Sequence, residues 1–343
     1  MHDPTTTVET ELLIVGAGPA GLFASFYAGL RGLSVTLIDS LPHLGGQVAA
    51  LYPGKEIFDV AGFAAVTGAD LIERLTAQAR LAEPTVLLGE EAGGLDEGAH
   101  HLVVTTTGGR KIIAGAVLIT AGIGRFTPRP LPALRGYTGG GIHHQVTDPA
   151  DHDGQHVVIV GGGDSAVDWA TMLTPYAASV TVVHRRARFR AHERAVGDLM
   201  NSAARVLTGC EITEIHGEAT LKAVTVRDCS TGATERVDAD AVIPALGHVA
   251  SLGGLARWGL SLSGQQIEVG TDMSTGRDRI YAAGDIAAYP GKVRLIAVGF
   301  GEAATAVNNI AVRLRPGADL FPGHSTDRAP TPPPQKEAVP WPT

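Results

Sequence analysis

One local pattern, occurring twice, constrains this chain more than anything else in it. Residues 11–15 (ELLIV) form a short apolar run. The stretch Gly16-Ala17-Gly18-Pro19-Ala20-Gly21 follows, then a helix-compatible segment to about residue 30, then a second apolar run over residues 33–38 that ends at Asp39. About 145 residues later the order returns: residues 157–160 (VVIV), Gly161-Gly162-Gly163-Asp164-Ser165-Ala166, a helical stretch to about residue 173, and residues 180–183 (VTVV). Short apolar runs flanking a glycine turn and a helix predict a parallel strand–helix–strand unit. Two copies predict two nucleotide-binding domains.

Each glycine in the first copy has a separate task. Gly16 permits the tight turn, and Gly18 has no side chain to keep a pyrophosphate off the backbone. Gly21, following Pro19 and Ala20, lets the helix sit close to the strand, with its N-terminus facing the phosphates. A bare GxGxxG is a weak signal. Its place between a strand and a helix, with an acid closing the next strand, makes it a strong one. The Asp39 carboxylate suits free ribose hydroxyls and repels a 2′-phosphate, so this site is expected to take FAD or NAD, not NADP. In the second copy Ala166 replaces the third glycine, which the fingerprint tolerates. No acid closes its second strand: the residues there are His184-Arg185-Arg186, with Arg190 beyond. Basic clusters are often merely solvated, but at the ribose end of a nucleotide fold guanidinium groups suit a phosphate, which favours NADPH over NADH.

The fold class expected is α/β, as two Rossmann-like three-layer dinucleotide-binding domains. Further strands are expected over residues 102–107, 111–120, 211–228, 234–243 and 279–283, and a helix over about 299–314. The net charge of −8 argues against a general nucleic-acid binder. The two cysteines, Cys210 and Cys229, form no CxxC and read as reduced thiols. The polar, acidic N-terminal stretch is unlike a signal peptide, and no apolar run approaches a membrane span, so a cytoplasmic location is expected.

With these residues in hand, the chain resembles the thioredoxin-reductase-like flavoproteins. Gly45-Gly46-Gln47 looks like their flavin-contacting turn. Thr120-Ala121-Gly122 and Ala245-Leu246-Gly247 resemble their interdomain connections. Ala283-Gly284-Asp285 resembles the motif whose Asp reaches the flavin ribityl and pyrophosphate, and His184 to Arg186 with Phe189 to Glu193 (FRAHE) resembles the NADP segment. One departure matters: the start of the second domain, where a thioredoxin reductase carries a CxxC, holds no cysteine. Without a dithiol, electrons cannot be relayed by thiol exchange.

The chain is most similar to ferredoxin–NADP⁺ reductases of the thioredoxin-reductase type, on the segments GGQVAALYP, AGIGRFTPR, GGGDSAVDWA and His324-Ser325-Thr326. This resemblance implies FAD and NADP(H) as cofactors, with hydride transfer to flavin N5 and one-electron release to ferredoxin or flavodoxin. It places Tyr52 on one flavin face, His324 on the other with Thr326 near it, and Phe126 at the flavin edge. Gln47 lies in the flavin turn, Gly284 and Asp285 at the ribityl and pyrophosphate, and the Ala92 backbone at the adenine, where the family more often has Val. It implies a homodimer and no side chain acting as general acid or base. The domains expected are 1–121 with 247–328 for FAD, 122–246 for NADPH, and a Pro-rich tail, 329–343. Arg125, Arg129, Arg135, Lys292 and Arg294 are candidates for meeting an acidic carrier. Two alternatives stay open: an NADPH-dependent reductase of a small molecule such as a quinone or free flavin, and a flavin-bound regulatory protein without turnover.

Overall fold

A computed structural model describes residues 7–146 and 148–324. The chain divides into two compact units, residues 1–125 with 250–343, and residues 126–249. Two short strands, Arg125–Pro128 and His248–Ser251, pair with each other where the chain crosses from one unit to the other.

The first unit is built on a seven-stranded sheet. Its parallel part runs Thr85–Leu88, Val35–Asp39, Val8–Val15, Lys111–Ile119 and Ile280–Ala282, and an antiparallel pair, Leu102–Thr106 and Ala92–Glu97, extends it. Period-2 alternation sends Leu12 and Ile14 to one face and Leu13 and Val15 to the other, and both faces are dry. On the first face pack helices Pro19–Leu30, Gly68–Arg80 and Ile296–Leu314. Helix Gly68–Arg80 and strand Thr85–Leu88 carry no fingerprint and are additions to the sequence reading. Thr67 caps that helix, its hydroxyl accepting the Asp70 N–H at 3.1 Å, and Leu71, Ile72, Leu75 and Ala79 form its buried stripe.

The second unit repeats the scheme with a four-stranded parallel sheet, Arg205–Thr208, Ser179–His184, His156–Val160 and Ala241–Pro244. Val157 and Ile159 face helices Asp164–Leu173 and Glu193–Met200. Val158 and Val160 face a three-stranded antiparallel sheet instead.

Two strand expectations need correction. The run 211–228 is two strands, Cys210–His216 and Ala223–Asp228, broken at Gly217. There φ is +122°, and a Cβ would lie 2.0 Å from the Thr220 carbonyl oxygen. The run 234–243 is also two strands, in different sheets: Thr234–Asp238 joins the antiparallel sheet and Ala241–Pro244 the parallel one. Alternation survives the crossing because buried Ala239 anchors it, donating its N–H to the Lys222 carbonyl while Asp240 donates to His156.

Candidate functional site

The first glycine loop is held from behind by protein and left open in front. At Gly16, φ is +112° and a Cβ would lie 2.6 Å from the Thr120 carbonyl oxygen. At Gly21 a Cβ would lie 1.9 Å from the Gly16 carbonyl oxygen, so helix Pro19–Leu30 could not stay where it is with any larger residue. The Thr120 hydroxyl donates to the Gly16 carbonyl at 2.7 Å. Gly18 differs: the nearest atom to its Cβ position is the Gly46 Cα, at 4.0 Å. No protein atom requires glycine at 18, whereas a bound pyrophosphate would. Gly18 is also the helix N-cap, and no side chain caps that end, which leaves backbone N–H groups directed at the open space.

Asp39, the Gly45-Gly46-Gln47 turn and the Gly284–Asp285 turn gather around this loop. The Asp39 carboxylate, nearly buried, accepts the Ala17 N–H at 2.6 Å and the Leu41 N–H at 2.8 Å. Loss of water around it pushes its carboxyl above the usual range, although those two N–H groups and His43 pull the other way. The Gly45 N–H donates to the Ala17 carbonyl at 2.9 Å, which brings the Gly45-Gly46-Gln47 turn against the loop. Gln47 lies close to Gly122, whose Cβ position is 2.6 Å from Gln47 Nε2. Tyr52 ends the short helix Gly46–Leu51, half-buried, and burial and then Asp285 raise its hydroxyl pKa. Gly284, at φ +79°, has a Cβ position 3.2 Å from Ala20 Cβ, so the Gly284–Asp285 turn also meets the helix start. The Glu90 N–H donates to the Asp39 carbonyl at 2.9 Å, leading strand Ala92–Glu97 away from that point. The Ala92 side chain is buried, and its carbonyl packs on Gly254, whose Cβ would lie 2.2 Å from that oxygen. His324 is exposed, its ring edge-on to Phe321 with centroids 5.2 Å apart. Thr326 and the Pro-rich tail lie outside the described residues.

In the second unit the same logic recurs with different side chains. Gly161, at φ +155°, has a Cβ position 2.3 Å from the Ala245 carbonyl oxygen, and Gly163 has nothing within 4 Å of its own. Gly163 is the uncapped N-cap of helix Asp164–Leu173, with Ala166 fully buried. Asp164 and Ser165 are exposed at the helix start, and the Asp164 carboxylate accepts the His192 N–H at 3.0 Å. His184 closes strand Ser179–His184 as Asp39 closes Val35–Asp39. Its ring is buried against Gly162, whose Cβ position is 2.4 Å from the ring, and tilted against Phe189 with centroids 5.0 Å apart. Because a carbonyl can only accept, His184 Nε2 is the protonated nitrogen, donating to Arg188 at 3.0 Å. The Arg190 N–H donates to the Gly162 carbonyl at 2.7 Å, folding the basic segment back onto the loop. Arg185, Arg186 and Arg190 present exposed side chains. Phe126 is partly buried, edge-on to His248 with centroids 5.5 Å apart.

Lys292 is not a surface charge: its side chain is 7% exposed and ion-paired with Glu302, itself 4% exposed. Glu302 is not among the expected site residues, although its signal is present in the sequence. It falls on the stripe Gly299, Ala303, Ala306, Val307 and Ile310 that faces the core, where an acid needs a partner. Arg125, by contrast, is exposed and only 3.5 Å from Glu91.

Residues 10–309 match the model of the pyridine nucleotide-disulphide oxidoreductase family. A relative named ferredoxin–NADP reductase from Saccharopolyspora erythraea is 52% identical over 319 residues, covering 93% of this chain and 98% of the relative. Another of that name, from Thermus thermophilus, is 45% identical over 326 residues, covering 93% and 97%. Among solved structures, the thioredoxin reductase of T. acidophilum superposes with a TM-score of 0.73 at 24% identity, over 88% of this chain and 98% of that one. That of Lactococcus lactis does so with 0.71 at 21% identity, over 89% and 99%. At such identities the structures establish the two-domain dinucleotide fold and no more.

Proposed function

The chain belongs to the pyridine nucleotide-disulphide oxidoreductase family, and on that premise we propose that it is a ferredoxin–NADP⁺ reductase using FAD and NADP(H). The observation that carries this reading is the 52% identity to a protein of that name over nearly the full length of both chains. The cysteine chemistry supports it: Cys210 and Cys229 both lie on the antiparallel sheet of the second unit or its turn, far in sequence from its start. No CxxC stands at the start of that unit to carry a thiol relay.

The first loop fits the pyrophosphate of FAD, since the nearest atom to a Cβ at Gly18 would be the Gly46 Cα at 4.0 Å, which leaves the backbone approachable by a phosphate. The Asp39 carboxylate keeps lone pairs beyond the two N–H bonds it accepts, and these suit ribose hydroxyls. Gln47, Tyr52 and Asp285 stand at the same end of the sheet and would line the ribityl and ring. When bound, the flavin supplies the redox chemistry, accepting two electrons as hydride at N5 and releasing them singly. The second loop, open before Gly163, would take the NADPH pyrophosphate, with Arg185, Arg186 and Arg190 on its 2′-phosphate. His184, buried beneath that loop, is better read as holding Gly162 and the basic segment in place than as a direct ligand. Phe126, His324, Thr326 and the Ala92 backbone remain proposals from resemblance, as do the homodimer, flavodoxin as a second carrier, and a cytoplasmic location. Among the described residues no helix is long and apolar enough to cross a membrane.

The test is NADPH oxidation by the FAD-loaded protein, under anaerobic conditions, with ferredoxin from the same organism. Ferredoxin reduction is expected, and it should persist when Cys210 and Cys229 are both changed to Ser. Turnover with quinone or free flavin but none with ferredoxin would convert the reading to a small-molecule reductase. A flavin band that NADPH does not bleach would remove the enzyme reading altogether.

A further inference from the structure

The Gly284–Asp285 turn is gripped from two sides, and each grip ends on a cation from one short segment. On one side the Glu302 carboxylate sits beneath the turn. Its Oε2 accepts the Gly284 N–H at 2.7 Å. Its Oε1 accepts the Tyr289 hydroxyl at 2.5 Å and the Lys292 ammonium. On the other side Gln266 Nε2 donates to the Asp285 carbonyl at 2.8 Å and to the Ala287 carbonyl at 3.2 Å. Gln266 Oε1 in turn accepts from Arg294 at 2.9 Å. Lys292 also lies over the Tyr289 ring, 5.5 Å from its centroid.

A buried ion pair is a weak stabiliser, because the cost of desolvating two charges offsets most of their attraction. An apolar pair would fill the space between the turn and helix Ile296–Leu314 equally well. It could not accept the Gly284 N–H, nor place positive charge beside Asp285. We infer that Lys292 and Arg294 are positioning residues of the flavin site, fixing the Gly284–Asp285 turn by its N–H through Glu302 and by its carbonyl through Gln266. The inference rests on the FAD assignment of the first unit. It has an electrostatic side as well. Burial pushes the Asp285 carboxyl up, Lys292 and then Arg294 pull it down, and Glu302 pushes it up; Tyr52 also faces it. Of these groups Lys292 exerts the largest opposing pull, so it does most to keep Asp285 an acceptor for ligand hydroxyls.

The test is titration of apo-protein with FAD, followed by flavin fluorescence, for the wild type, Lys292→Met, Lys292→Arg and Arg294→Met. Lys292→Met should weaken FAD binding by roughly 10- to 100-fold, by analogy with the loss of an outer supporting partner at a metal site. Arg294→Met should weaken it less, since Gln266 keeps its own bonds to the turn, and Lys292→Arg should recover most of the affinity. Acidification should release FAD at a higher pH from Lys292→Met than from the wild type, because Asp285 then protonates sooner. Wild-type affinity together with a wild-type release profile in Lys292→Met would overturn the inference. Should that variant fail to fold, the exposed Arg294→Met decides: weaker FAD binding with unchanged apo-protein thermal stability supports the inference, and wild-type binding overturns it. A wild-type chain that binds no FAD is a different result, which sinks the function proposed above.

Discussion

The two glycine loops are built on one plan and differ at three points, and the comparison separates positions that protein packing fixes from positions it leaves open. At the first glycine both loops carry positive φ against a backbone carbonyl, of Thr120 in one and Ala245 in the other. This position serves the fold. At the second glycine, Gly18 and Gly163, neither loop has a protein neighbour that would exclude a side chain. Protein packing does not fix this position, and in the proposed function it serves the ligand. At the third the loops part. Gly21 cannot bear a Cβ because the Gly16 carbonyl is 1.9 Å from it, whereas Ala166 is accommodated and fully buried. The remaining differences lie at the middle residue and the end of the second strand. Ala17 is paired with the short Asp39, which takes its N–H, and Gly162 is paired with His184, whose ring fills the space a Cβ would need. The end-of-strand residue and the middle residue are thus chosen together, one pair leaving a carboxylate and the other an imidazole followed by arginines.

The largest test of this comparison changes the third position of each loop. Gly21→Val should abolish bound flavin in the purified protein, read from its absorbance, because helix and loop cannot both keep their places. The matching change Ala166→Gly should cost only about 0.5–1 kcal/mol in thermal unfolding of the second unit, the ordinary helix-interior penalty for glycine. Loss of flavin in both, or in neither, would mean the two loops do not differ as described.

Next in size is the basic segment. Arg185→Ala with Arg186→Ala should raise the KM for NADPH by roughly 10- to 100-fold, as for one or two lost charge-assisted hydrogen bonds, while leaving the KM for NADH and the flavin content unchanged. An equal rise for NADH would show that these side chains do not read the 2′-phosphate.

The smallest effect concerns Asp39. Its carboxyl is held above the ordinary carboxylate range, chiefly by desolvation. Its contribution to folding is therefore most favourable below the unfolded pKa and declines as pH rises through the folded one. Asp39→Asn should remove that decline, and the apo-protein should be no less stable than wild type at neutral pH. FAD binding should still weaken, because the amide has one acceptor oxygen to serve Ala17, Leu41 and the ribose. Apo-protein melting as a function of pH, beside FAD titration, checks both halves; a destabilised neutral-pH apo-protein would make Asp39 a structural residue first.

Much of the architecture was legible in the chain. Strand–glycine–helix–strand order is local, written in 3.6- and 2-residue periods and in glycines, so the parallel cores could be read from position alone. The two-domain dinucleotide fold is borne out by the superpositions. The antiparallel strands were less legible. Alternation continues through Ala239 although the chain changes sheets there, because a buried alanine fits either face. The setting of Lys292 is not legible for a related reason: a lysine beside a proline-glycine turn looks solvent-bound until a carboxylate from a helix ten residues on meets it. Arg294, two residues away, is exposed, and no local pattern distinguishes the two.

The sequence by itself determined that there are two nucleotide folds, that one is closed by an acid and the other by bases, and that no dithiol stands between them. These are properties of residue type and short spacing, which survive unchanged into the fold. Tertiary structure alone decided that His184 is buried under its loop, that the open faces lie at Gly18 and Gly163, and that Glu302, Lys292 and Gln266 hold the Gly284–Asp285 turn. Those are facts about which distant atoms share a volume once water has been expelled. A chain carries that information only through its packing.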